Sequence, residues 1–139
     1  MAQHYFNNGL SCSESVLKSL NEAYALGLPE NCYKIATAFG SGMGESGCAC
    51  GAVTACTMIF GLMVGRNKAF ESNRLAYLAA NELQKRFKSS HRAICCRVLT
   101  KGVEWKSAEH KLLCDQYVHD AAKLTVEIIE TQLEPVNRL

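Results

Sequence analysis

Apolar residues recur along this chain at the three- and four-residue spacing of helices, and nowhere at the period of two that marks a half-buried strand. Residues 2–8 read as a lead-in turn carrying Tyr5 and Phe6, broken by Gly9. Ser11-Cys12-Ser13-Glu14 has the S-x-x-E spacing of a capping box, with Ser11 as N-cap and Glu14 reaching back. Val16, Leu17, Leu20, Ala23 and Tyr24 follow at helical spacing, which predicts a helix over about 12–26. Cys12 then falls in a first turn, where backbone N–H groups are free. Gly27 and Pro29 separate it from a second helix, about 29–39, expected to bury Ile35, Ala36 and Phe39 with Cys32 on the same face.

A glycine-rich loop follows, with Gly40, Gly42, Gly44, Gly47 and Gly51 interleaved with Cys48 and Cys50. It feeds an apolar run, residues 52–64, too long for a typical strand and apolar nearly all round, which predicts a helix enclosed by the others. Ala52, Val53, Cys56, Phe60 and Met63 share one side, so Cys56 reads as packing. Residues 66–88 form the longest amphipathic segment, with Phe70, Leu75, Leu78, Ala79, Leu83 and Phe87 expected inside. A shorter helix, about 92–100, carries Cys95 and Cys96, and a polar loop holds Trp105. The last helix begins between Ser107 and Asp115, runs to about Gln132 and buries Tyr117, Ala121, Leu124, Ile128 and Ile129. Cys114-Asp115 is one candidate for its start, and the tail after Pro135 is expected to be loose. The expected fold is all-α, one domain over 1–139 built as a bundle of five to six helices.

Composition sharpens this picture. A chain of 139 residues, 48% hydrophobic with two prolines, suits one compact core and excludes disorder. The apolar run is short for a bilayer span and is interrupted by Gly61, so no membrane association is expected. MAQHYFNNG lacks a signal-peptide pattern, which points to the cytoplasm. Basic residues outnumber acidic ones between Lys85 and Lys111, but only Phe87 and Trp105 offer stacking there, so a solvated face is expected and no nucleic-acid partner. Eight cysteines are many for a reducing compartment, where they signal metal ligation or reversible redox chemistry.

The glycine loop has two readings. A loop opening a helix points unpaired amides at what precedes it, which favours a thiolate at Cys50. The same stretch also suits a tight helix–helix connection with small buried residues. Residues 42–47 fit G-x-G-x-x-G, but a helix precedes them where a dinucleotide fold needs a strand, so the nucleotide reading is rejected. Gly42, Gly44, Gly47 and Gly51 remain the candidate cofactor-contacting positions of the loop. Cys48-Ala49-Cys50 is a C-x-C pair, and no C-x-x-C occurs for a zinc finger. His110 and Cys114 stand at i, i+4, a spacing open to metal binding, though no third ligand is near and a surface position comes first. Arg92 and Arg97 are candidates to favour a thiolate at Cys96.

The residues that carry these signals resemble the C_GCAxxG_C_C family of putative redox-active proteins. Tyr5 to Cys12 is similar to the family's opening, and Ala38 to Gly44 to its glycine loop. Cys50-Gly51-Ala52-Val53-Thr54 resembles its C-G-A core, with Ala55 where the motif closes in Gly. Cys96 is similar to the third motif cysteine, with Cys95 the alternate, and Cys114 to the last. The resemblance implies a thiol-based redox role in which Cys12, Cys50, Cys96 and Cys114 gather and cycle between dithiol and disulfide. Cys50 is the expected attacking thiolate and Cys12 or Cys48 the resolving one; Cys32, Cys48, Cys56 and Cys95 lie outside the motif. The alternative is that the same four thiolates hold a metal ion or an iron–sulfur cluster. A redox partner protein is implied, and exposed apolar residues near Leu62 and Met63 permit a homodimer.

Overall fold

The capping box, the apolar run and the amphipathic segments all become helices in the computed structural model, which describes residues 1–134. In chain order these are α1 (Ala2–Asn7), α2 (Cys12–Ala23), a 3-10 helix (Glu30–Phe39), α3 (Gly40–Met43), α4 (Gly51–Val64), α5 (Arg74–His91), α6 (Cys96–Leu99) and α7 (Ala108–Ile128). A π-helical turn, Ile129–Leu133, continues α7. The chain is all-α, as expected, but with more pieces than the five to six helices anticipated, because α3 and α6 are single turns. No strand occurs among the described residues. The expected loose tail lies outside them.

α4 is the axis. Ala52, Val53, Ala55, Cys56, Ile59 and Phe60 are fully buried, and the helix packs against α2, α5, α7 and the 3-10 segment. Each fully buried side chain of the size of Ile59 or Phe60 contributes roughly 1.5–3 kcal/mol relative to exposure. The surrounding helices bring one stripe each: Val16, Leu17 and Leu20 from α2, Ala79, Leu83 and Phe87 from α5, Val118, Ala121 and Ile128 from α7. α1 is pinned to α7 from outside, since Gln3 and Asn7 both donate side-chain amides to the Asp115 carboxylate.

Three expectations are corrected and a fourth, the start of α7, is narrowed. The second helix is 3-10, and its three-residue period aligns Tyr33, Ala36 and Phe39 inward. Ile35 therefore turns to solvent at 60% exposure, and Cys32 is half-buried. α5 starts eight residues later than its amphipathic pattern suggests. The preceding loop is tied to itself by Arg66, whose guanidinium donates to the Ala69 and Glu71 carbonyls, and Phe70 is 84% exposed. Leu78, on the outer face of α5, is exposed as well. The helix expected around Cys95 and Cys96 shrinks to one turn because Arg92 caps α5 in the left-handed region and Cys95 is extended. α7 opens at Ser107, whose hydroxyl accepts the His110 N–H, so Cys114 lies well inside the helix and does not mark its start.

Candidate functional site

The cysteine-bearing segments reach one place through three local devices. The first is the capping box, present as anticipated: Ser11 Oγ accepts the Glu14 N–H, and the Glu14 carboxylate accepts the Ser11 N–H at 2.8 Å. It fixes Cys12 as the first residue of α2.

The second device is the glycine loop. Ser41, Gly42, Met43, Gly44 and Glu45 all have φ between 55° and 68°, so the chain makes a left-handed turn. Such a turn is unfavourable by about 1–2 kcal/mol for each L-residue with a Cβ, and glycine at alternate positions limits the strain to Ser41, Met43 and Glu45. The turn folds the loop back so that Gly42 O accepts the Cys48 N–H at 3.0 Å.

The third is a single antiparallel bridge, Ala49 to Cys95. The Cys50 N–H donates to the Ile94 carbonyl at 2.7 Å, and the Cys96 N–H donates to the Cys48 carbonyl. This pairing opposes Cys50 to Ile94 and Cys48 to Cys96, and so brings Cys50 and Cys96, far apart in the chain, to one cavity.

Two glycines make the approach sterically feasible. A methyl group at Gly51 would lie 2.6 Å from the Cys12 sulfur, and one at Gly42 would lie 2.7 Å from Cys96 Cβ and 2.6 Å from the Cys48 nitrogen. Gly47 faces Arg97, while Gly44 meets only the Ala38 carbonyl, at 3.9 Å. Gly42 and Gly51 thus each abut a cysteine segment, Gly51 also meeting the Phe39 carbonyl and Ser13 Cβ.

The result is a cavity of about 310 Å³ lined by Cys12, Cys50, Cys96 and Cys114. Phe6, Leu99, Trp105 and Tyr117 give it an apolar wall, and Lys106, His110 and Lys111 stand on the α7 side. Cys50 and Cys96 are each 7% exposed, whereas Cys12 and Cys114 are half-buried. All eight cysteines are free thiols. Of the adjacent pair, Cys96 faces the cavity and Cys95 is exposed outside it. Cys48 is also exposed, two residues before Cys50, with its carbonyl accepting the Cys96 N–H. Cys56 is in the core, and Cys32 borders an apolar groove with Leu17, Met58 and Leu62.

The electrostatics overturn one expectation. Burial pushes the Cys50 thiol well up, the neighbouring Cys12 adds to the shift, and hydrogen bonds from the Ala52 and Val53 amides oppose it. The helix start does act on Cys50, but desolvation outweighs it, so the Cys50 thiol is raised where a lowered one was expected. Cys114 is pushed up to about 12 by burial, then by Cys12 and Cys96. Burial and then Cys12 raise Cys96 too, against a hydrogen bond from Thr100. Neither Arg92 nor Arg97 reverses this: Arg92 is exposed at the end of α5, and the Arg97 guanidinium donates to the Ser46 carbonyl.

Sequence spacing alone undervalued His110. Its Nε2 lies 3.6 Å from the Cys114 sulfur, and its Nδ1 accepts the Lys106 N–H at 3.1 Å. Trp105 stacks on the ring with centroids 4.4 Å apart, and burial lowers the pKa of the imidazole. The i, i+4 spacing was the available signal, but it was read as a surface position first and a metal pair second, where the structure places a Cys–His hydrogen bond. Among the described residues no group of three or more Cys, His, Asp or Glu side chains is disposed to hold a metal ion. The arrangement of the four thiols therefore does not support a metal ion or cluster ligated by all of them.

Fold and cavity together define an all-helical protein with a multi-thiol pocket at the head of its central helix. Residues 10–128 match the family described as "Putative redox-active protein (C_GCAxxG_C_C)", and the chain belongs to that family. No curated protein and no solved structure matches it. No described helix is long and apolar enough to cross a membrane.

Proposed function

We propose that the protein performs thiol–disulfide exchange in this cavity, its cysteines cycling between dithiol and disulfide. The observation that carries the reading is that Cys12, Cys50, Cys96 and Cys114, held by four separate elements, line one pocket, with Cys12 near enough for its charge to raise each of the others.

Clustered thiols resist ionising together, because a first thiolate disfavours a second at short range in a poorly solvated site. One thiolate at a time is the working state. Cys12, half-buried at the first position of α2, is the receiving thiol. Its sulfur attacks an incoming disulfide; a bond to one substrate half forms, and the other half leaves as a thiolate that takes up a proton. Cys50, Cys96 or Cys114 then gives up its proton and attacks the Cys12 sulfur. The protein disulfide closes and the second substrate thiol departs. Two electrons pass to the substrate, and the two protein protons end on the released thiols. His110 assists at Cys114: with Nδ1 occupied as an acceptor, the neutral ring carries its proton on Nε2 and donates toward that sulfur.

The test is a thiol count on anaerobically purified protein, before and after excess hydroxyethyl disulfide, with iron, zinc and sulfide assays. The expected result is eight thiols falling by two in a metal-free protein, since all eight are free in the reduced chain. An unchanged count, or stoichiometric iron with sulfide, overturns the exchange reading.

A further inference from the structure

The charged part of the lining says what kind of disulfide the cavity takes. Its only ionisable side chains besides the thiols and Tyr117 are Lys106, His110 and Lys111, and among the described residues no carboxylate lines it. Nearby acids lie outside the lining and bond elsewhere, the Glu14 carboxylate accepting from the Ser11 N–H and the Thr37 hydroxyl. Glu45 pairs with Lys106 at 3.4 Å in an exposed ion pair, Asp115 accepts from Gln3 and Asn7, and Glu109 is exposed outside the lining. Lys111 has no ion pair among the described residues. The first turn of α4, which carries no acidic residue, also lines the cavity at Gly51 and adds partial positive charge to the same space. The volume, about 310 Å³, is at the small end of ligand pockets, which suits a small molecule.

We propose that the cavity takes a small acidic disulfide, a low-molecular-weight molecule with carboxylates on short arms either side of its S–S bond. The inference rests on the exchange function above and specifies its substrate class. Lys111 and the α7 side receive a carboxylate, and the Cys12 sulfur meets the disulfide. The step is the one already written: one substrate S–S bond breaks, one protein S–S bond forms, and two small thiols are released per chain, with the substrate itself as oxidant.

The experiment is single-turnover reduction of three probes by the reduced protein: 3,3′-dithiodipropionate (anionic), hydroxyethyl disulfide (neutral) and cystamine (cationic). Each rate is divided by that of dithiothreitol with the same probe, which removes intrinsic leaving-group differences. The expected order is anionic, neutral, cationic, with about tenfold between first and last at low salt and less at high salt. Lys111→Glu, an exposed position, collapses or inverts the anionic-to-neutral ratio. Equal normalised rates, or a cationic preference, with two thiols still released per chain overturn the acidic-substrate inference and leave the exchange function standing. No release from any probe overturns both.

Discussion

Cys50 and Cys56 sit six residues apart on or at the head of the same helix, and both are buried. Burial is the first cause of a raised thiol pKa at each. What separates them is their surroundings. Cys56 is enclosed by the core, with Thr125 as its polar neighbour. Cys50 opens on a cavity where Cys12 and Cys96 are close enough to shift it. Burial alone makes a cysteine inert; burial beside other thiols makes a place where a disulfide can form. The helix therefore has a structural middle and a chemical head, built from residues of the same kind.

Alkaline titration acts on both regions at once and is expected to have the largest effect. Cys56 and Cys114 ionise near their ordinary value of 9.0 when unfolded, but hold their protons to about 12 when folded. Between those limits the unfolded chain binds fewer protons, so stability is complete below pH 9 and falls as pH rises toward 12. Urea midpoints of the reduced protein across that range measure the slope, and Cys56→Ala flattens part of it. Phe60→Ala removes a fully buried ring from the structural middle. It is expected to lower stability by about 3–5 kcal/mol while two thiols remain oxidisable below the new midpoint. At the chemical head, His110→Gln is expected to slow alkylation of Cys114 by about ten- to a hundredfold, the value of one charge-assisted hydrogen bond, with stability nearly unchanged. Site-resolved alkylation followed by mass spectrometry reads it. Gly51→Ala puts a methyl group against the Cys12 sulfur and is expected to destabilise by roughly 1–3 kcal/mol while slowing disulfide closure.

The middle of the molecule was easier to read from sequence than the head, for physical reasons. A capping box and an apolar run are local signals, and Ser11, Glu14 and residues 52–64 behave as their chemistry requires. Cys56 as packing follows from helical spacing alone. The head depends on contacts between distant segments. The bridge that brings Cys50 to Cys96 leaves no periodicity in either stretch, and it shortened a helix expected across Cys95. The left-handed turn was visible only as alternating glycines, which also suggested a nucleotide loop. Phe70 misled because an apolar residue in a helical register signals burial only if the helix extends that far. Desolvation of Cys50 was hidden for the same reason: a sequence shows the helix start but not how much chain covers it.

The pairing within the cavity is the point on which this account turns. Disulfide mapping by mass spectrometry, on native protein oxidised with a small disulfide and then alkylated at low pH, reads it directly. The expected product links Cys12 to Cys50, Cys96 or Cys114 and leaves Cys56 alkylatable only after denaturation. A dominant bond that involves none of the cavity cysteines, or an oxidised protein with Cys12 still free, contradicts it.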